Sequence, residues 1–148
     1  RNLCIQAIYK NKQKRALRAF GRMTHTIQDF YAHSNFIQLW IRNLHGEVPN
    51  LNRLDCVDNK ILKHSNLLSH KTIFPGDYIA LLPGMARFLK PHLPKTSHTC
   101  MNLDSPESGE NFTWAYSAAV LRTKLELNKL IERLECSQNE IDLFLGRI

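Results

Sequence analysis

Apolar residues recur at helical spacing along most of the chain. They predict a short helix over residues 3–10, a long helix over 14–34, and a third over 113–136 that is rich in Ala and Leu. Residues 35–43 stay apolar, which indicates either an extension of the long helix or a short separate one. The capping box Ser137-Gln-Asn-Glu140 opens a last short helix.

The segments between these helices are irregular. Residues 44–78 lack a clear period, residues 77–90 predict a helix that Pro83-Gly84 could split, and residues 91–106 read as connector and loop. Strand alternation and hairpin signals are missing from the sequence. The pattern therefore predicts an all-α fold, a multi-helix bundle with long loops, in a single domain over residues 1–148. Because there is no initiator Met and an apolar pattern is already under way at the start, we expect a fragment or a processed part of a longer protein.

The long helix carries His25, Asp29 and His33 at every fourth position. Each residue of an α-helix advances by about 100°, so these side chains form one row along the axis. Two His four residues apart on a helix can chelate one zinc ion. By the same geometry, adjacent members of this row could share an ion, with Asp29 bridging two ions and one His on each. The row could equally face water, because Ile27 and its apolar neighbours lie on the opposite side of the helix.

Three features favour a buried row. Gly21 and Ala32 are small residues near it, where another backbone could approach. Phe36 and Trp40 continue on the side of the row, which indicates a helix buried on both faces towards its end. Ligands buried between helices need a compensating charge, and a cation is the simplest one.

The charge of the chain narrows the classes of partner. The 148 residues carry a formal charge of +7, and residues 10–22 hold much of the local excess. This balance favours an acidic partner: an anionic phospholipid or membrane surface, nucleic acid, or an acidic protein. Nucleic acid is disfavoured because no recognition motif accompanies the charge. A solvated basic helix end explains the same excess without any partner.

The cysteines and the single glycosylation sequon are compatible with more than one cellular compartment. The four cysteines are scattered without a C-x-x-C pair, so two disulfides in a secreted protein and four buried thiols are both compatible with them. One sequon, Asn111-Phe-Thr, permits glycosylation if the chain is exported. A secreted or membrane-associated protein is slightly favoured. No run approaches the roughly 18 apolar residues of a membrane span.

Two stretches resemble motifs of one known family. The first is His25-Thr-Ile-Gln-Asp29-Phe-Tyr-Ala-His33-Ser34-Asn35-Phe36, which closely resembles the signature H-T-x-Q-D-F-[YF]-x-H-S-N-[WF] of the fungal heterokaryon-incompatibility Het-C family. The second is Ser97-His98-Thr-Cys-Met-Asn102-Leu-Asp104-Ser105-Pro106, which resembles that family's later stretch [ST]-H-x-x-[LI]-N-[KL]-D-S-P. The family is a distant relative of the all-helical zinc-dependent phospholipases C, so the resemblance implies a similar fold.

The resemblance also implies a metal-dependent hydrolase of phosphoesters. A zinc-activated water would attack a phosphodiester, with Asp29 as the central catalytic residue and the bridge between ions, which would number about one to three. Ser34, Asn35 and Asn102 would orient the ligands by hydrogen bonds. The implied zinc ligands are His25, Asp29, His33, His98 and Asp104.

Two other functions stay open. The family often places a His just before the Ala-rich helix, and residues 112–116 contain none here. The first alternative is therefore a catalytically inactive interaction or toxin-type domain, with a structural or vestigial metal and a protein partner in a larger assembly. The second is a basic helical module that binds membranes or nucleic acid by charge alone.

Overall fold

Helices dominate the part of the chain that the structure describes. The computed structural model describes residues 1–69, 79–80, 82, 84–134 and 138–147. Within these residues there is no β-strand, and the predicted all-α fold is confirmed. The α-helices there are α1 (Asn2–Tyr9), α2 (Gln13–Ala32), α3 (Phe36–Arg42), α4 (Asn59–Leu62), α5 (Met85–Leu89), α6 (Glu110–Ile131) and α7 (Gln138–Leu145).

The chain divides into two compact units. The first unit comprises residues 1–27 and 121–148, and the second comprises residues 28–120. Helices α2 and α6 each contribute residues to both units. Among the described residues, no helix has the length and apolar character needed to cross a bilayer.

An apolar cluster forms the core of the first unit. Phe20 on α2 meets Phe144 on α7 edge to face, with ring centroids 5.9 Å apart. The buried thiol of Cys4 donates a hydrogen bond to the carbonyl of Ala16 at 3.4 Å, which joins α1 to α2. The fully buried members of this core are Cys4, Ala7, Ile8, Ala16, Leu130, Leu134 and Phe144.

One carboxylate is buried in the same unit. Glu126 on α6 is 2% exposed and accepts hydrogen bonds from Arg1 and from Nε of Arg122, the latter at 3.1 Å. The ammonium of Lys129 lies 4.0 Å from the same carboxylate. Burial raises the pKa of Glu126, but the hydrogen bond from Arg1 and the three positive charges lower it by more, so the pKa lies below its ordinary value.

Several helix boundaries differ from the predicted ones. Helix α2 ends at Ala32 instead of residue 34, and α3 is a separate helix instead of an extension. In the described part of residues 77–90, the five-residue α5 follows Gly84, whose φ of 79° lies in the left-handed region that favours glycine. Residues 70–78 and Ser137 of the predicted capping box lie outside the described residues.

Aromatic side chains form the core of the second unit where α2 meets α3. Tyr31 and Phe36 are almost wholly buried, and their ring centroids are 5.1 Å apart in edge-to-face contact. The Tyr31 hydroxyl donates a hydrogen bond to the carbonyl of Cys56. Trp40 contacts Trp114 with ring centroids 5.3 Å apart. These contacts hold the end of α2 inside the unit.

Candidate metal centre

The predicted His-Asp-His row becomes more buried towards the end of α2. His25 is exposed, Asp29 is half-buried and His33, the residue after the helix, is 1% exposed. Burial is greatest at His33, where the loop that bears His98 and Asp104 packs against the end of α2. The expected close approach of another backbone at Gly21 is wrong, since among the described residues only the helix's own backbone lies within 4 Å of where a Cβ would stand. Such an approach does occur at Ala32.

A backbone hydrogen bond joins the end of α2 to the loop over residues 93–105. The amide of Leu103 donates to the carbonyl of Ala32 at 2.9 Å. The last carbonyls of a helix have no partner within the helix, and the loop supplies one. Because His33 follows Ala32 and Asp104 follows Leu103, this bond places the imidazole and the carboxylate next to each other.

Short turns shape the loop itself. The hydroxyl of Ser97, a fully buried residue, accepts a hydrogen bond from the Cys100 amide at 3.1 Å. The Asn102 side-chain oxygen accepts one from the Asp104 amide at 2.7 Å. The first turn encloses His98 and the second orients the backbone of Asp104. Local bonds therefore shape the backbone around both predicted ligands of this loop.

His33, His98 and Asp104 come together in the second unit. Each offers one ligand atom, and the three atoms all lie within 4.8 Å of one another. His33 Nε2 is 3.1 Å from Asp104 Oδ2, and the two imidazole centroids are 3.7 Å apart with a tilt of 37° between the rings. The group unites members of both sequence motifs. Across the described residues, His25 and Asp29 are not among its members.

The donor set fits zinc. Two imidazole nitrogens and one carboxylate oxygen are ordinary zinc ligands, with bonds of about 2.0–2.2 Å, which place tetrahedral ligand atoms roughly 3.3–3.5 Å apart. The separation of 3.1 Å between the His33 and Asp104 atoms is close to that value. His98 is half-buried and the Asp104 side chain is 50% exposed, so both have room to adjust around the buried His33.

Ser34 and Asn35 order the backbone next to His33, the first candidate ligand. The Asn35 side chain accepts a hydrogen bond from the Leu68 amide at 2.8 Å and donates one to the Asn66 carbonyl at 2.9 Å. The Ser34 hydroxyl, in a residue 1% exposed, accepts one from the Phe36 amide at 3.2 Å. Together these bonds fix the turn between α2 and α3.

A pocket of about 400 Å³ lies beside the group formed by His33, His98 and Asp104. Ser34 and Leu103, the sequence neighbours of the candidate ligands His33 and Asp104, both line it. Two exposed lysines, Lys90 and Lys95, line it as well, and none of the described lining residues is acidic. Sequence reasoning missed these lysines because single basic residues in a connector carry neither a period nor a motif.

Comparison of the chain with protein-family models, with curated proteins and with solved structures gives no match. The candidate centre consists of a buried His at the end of a helix, and of a His and an Asp on a loop that is hydrogen-bonded to that end.

Proposed function

We propose that this chain is a zinc-dependent phosphoester hydrolase of the phospholipase C type, with His33, His98 and Asp104 as zinc ligands. The observation that carries the proposal is the number of donors in the group. Three protein ligands leave one position of a tetrahedral site open, as in catalytic zinc sites, whereas structural sites use four. Zinc in such a site activates water as a nucleophile near neutral pH and stabilises negative charge on phosphoryl oxygens.

The neighbouring pocket supports a phosphoester as the substrate. The ammonium groups of Lys90 and Lys95 pair with no carboxylate among the described residues, so they are available to hold anionic oxygens. Leu68 and Met101 line the same pocket and suit the apolar part of an ester. A phospholipid combines both features. The half-exposed Asp104 side chain leaves the group open towards solvent.

Asp29 lies outside the three-residue group, and we propose it as a ligand of a second, neighbouring ion, so that the fourth position of the three-residue site stays open to water. The amide of His33 donates to the carbonyl of Asp29 at 2.8 Å, so helical geometry continues through His33 and puts both side chains on one side of the helix. The resemblance to the Het-C motif supports the same role for Asp29. For His25, which is exposed, the proposed ligand role is supported by the motif resemblance.

Metal content and hydrolysis, measured on the same samples, test this function. We expect the purified chain to bind zinc and to hydrolyse bis(4-nitrophenyl) phosphate or short-chain phosphatidylcholine. His98→Gln and Asp104→Asn should each weaken zinc binding by more than about 100-fold and abolish hydrolysis. His92→Gln changes an exposed His near the same loop and should leave both properties intact.

The two readouts also separate the competing functions. Zinc bound by the three-residue group without any phosphodiesterase activity would refute the hydrolase and favour an interaction domain with a structural metal. In that case chelation should unfold the second unit, which circular dichroism would detect. Equal zinc content in the chain and in His98→Gln would refute the metal centre altogether.

A further inference from the structure

The net charge of the chain is confined to its first 28 residues. They hold seven of the 20 Lys and Arg residues and none of the 13 Asp and Glu residues, so the remaining chain has thirteen of each and is neutral. One of the seven, Arg1, bonds to the buried Glu126. The other six constitute the basic surface of the first unit: Lys10, Lys12, Lys14, Arg15, Arg18 and Arg22.

Helix α2 turns most of this charge away from the core. Ala16 is fully buried, and Lys14 and Arg18 lie about 160° around the helix from it. All six basic side chains are exposed, and none pairs with a carboxylate in the described residues. Six like charges without a counter-charge repel one another, so this arrangement does not stabilise the fold. An anionic partner would relieve the repulsion.

The basic surface is continuous. A shallow depression of about 690 Å³ extends among its side chains from Lys12 to Arg22. A second, smaller depression is lined by Leu3 and Lys10 and shares Lys12 and Arg15 with the first. The positive charge therefore forms one strip with an aliphatic side chain at its edge.

Exposed apolar side chains accompany the strip. Leu3 is 60% exposed, Tyr9 50% and Leu17 46%, and Leu17 lies about 60° around α2 from Lys14. Aliphatic side chains beside lysines and arginines suit a lipid interface, where the charges meet headgroups and the apolar groups enter the acyl boundary. Single-stranded nucleic acid would instead call for several aromatic stacking partners. We propose that the basic surface docks the protein on anionic phospholipid bilayers, independently of the zinc centre.

Vesicle co-sedimentation of the whole chain tests the docking. We expect binding to phosphatidylcholine vesicles that contain phosphatidylserine and little binding to phosphatidylcholine alone. Raising the salt from about 0.1 M to about 0.5 M should weaken binding, because the Debye length falls. Each basic residue near an anionic bilayer changes partitioning by about fivefold, so Arg18→Gln/Arg22→Gln should lower it by about 25-fold.

A matched control separates the basic surface from net charge. Lys124→Gln/Arg133→Gln removes two exposed positive charges from the neutral part of the first unit and should change partitioning much less. Leu17→Gln should reduce partitioning by about twofold to tenfold, and that part of the loss should persist at high salt. Thermal unfolding followed by circular dichroism establishes that each variant is folded.

Three outcomes would overturn the proposal. Equal losses in the two double variants would mean that total charge, and not this surface, drives binding. Equal binding to vesicles with and without phosphatidylserine would exclude a role for lipid charge. Tighter binding to a nucleic-acid oligonucleotide than to phosphatidylserine vesicles at the same salt would assign the surface to nucleic acid.

Discussion

Replacing Glu126 by Gln measures what the buried carboxylate contributes to the first unit. The substitution keeps the shape and one acceptor oxygen but removes the charge that faces Arg1, Arg122 and Lys129. A hydrogen bond to a charged group contributes about 1.5–3 kcal/mol and a neutral one about 0.5–1.5 kcal/mol, so weakening two of them costs roughly 2 kcal/mol. The three basic side chains are 24–41% exposed. Water can therefore solvate them, and the cost stays below the roughly 3–5 kcal/mol of a fully buried pair.

Urea unfolding followed by far-ultraviolet circular dichroism measures this loss. With a slope of about 2 kcal/mol/M, the expected loss moves the midpoint by about 1 M. Glu132→Gln makes the same chemical change at an exposed residue just beyond α6 and should change the free energy of unfolding by less than about 0.5 kcal/mol. Equal midpoint shifts in the two variants would refute the reasoning.

The pH dependence of the loss provides a second test. The pKa of Glu126 in the folded chain lies below its ordinary value. The carboxylate therefore contributes its full stability above the unfolded pKa of about 4.3 and loses it as the pH falls through the folded pKa. The difference between the chain and Glu126→Gln should be largest near neutral pH and shrink below about pH 4. A difference that stays constant over this range would contradict the assigned pKa shift.

Two further predictions concern the turn after α2 and the thiols. Asn35→Ala removes the side-chain bonds to Leu68 and Asn66, so we expect a loss of about 1–2 kcal/mol and faster hydrogen exchange of the Leu68 amide; unchanged exchange would contradict this. Burial raises the pKa of the Cys4 thiol, and Cys4 is 1% exposed whereas Cys100 is half-buried. Iodoacetamide should therefore modify Cys100 first and Cys4 only after unfolding, as read by peptide mass spectrometry; the reverse order would contradict the assignment.

Helical periodicity predicted that α2 exists but not where it ends. Polar and apolar residues keep a helical spacing through residue 34, and no Gly or Pro marks an earlier stop. In the structure the helix ends at Ala32, whose carbonyl binds the distant amide of Leu103, and α3 begins at Phe36. A tertiary hydrogen bond supplies this boundary, and local sequence patterns do not encode such bonds.

The candidate site shows the same division between local and long-range information. Helical spacing alone placed His25, Asp29 and His33 in one row, but burial is greatest at His33, where a loop distant in sequence packs against it. His98 and Asp104 stand six residues apart in a loop, a spacing that points to no site by itself. The motif resemblance supported them as candidate ligands, and in the structure both lie beside His33.

The bond between Leu103 and Ala32 also sets the register between the two main-chain segments of the candidate centre. His33 and Asp104 meet because each lies one residue beyond a member of that bonded pair. An insertion of one residue between Leu103 and Asp104 would preserve all three candidate ligands and still displace the Asp104 carboxylate from His33. The alignment of the two main-chain segments therefore determines whether the candidate donor atoms meet, just as the identity of the side chains does.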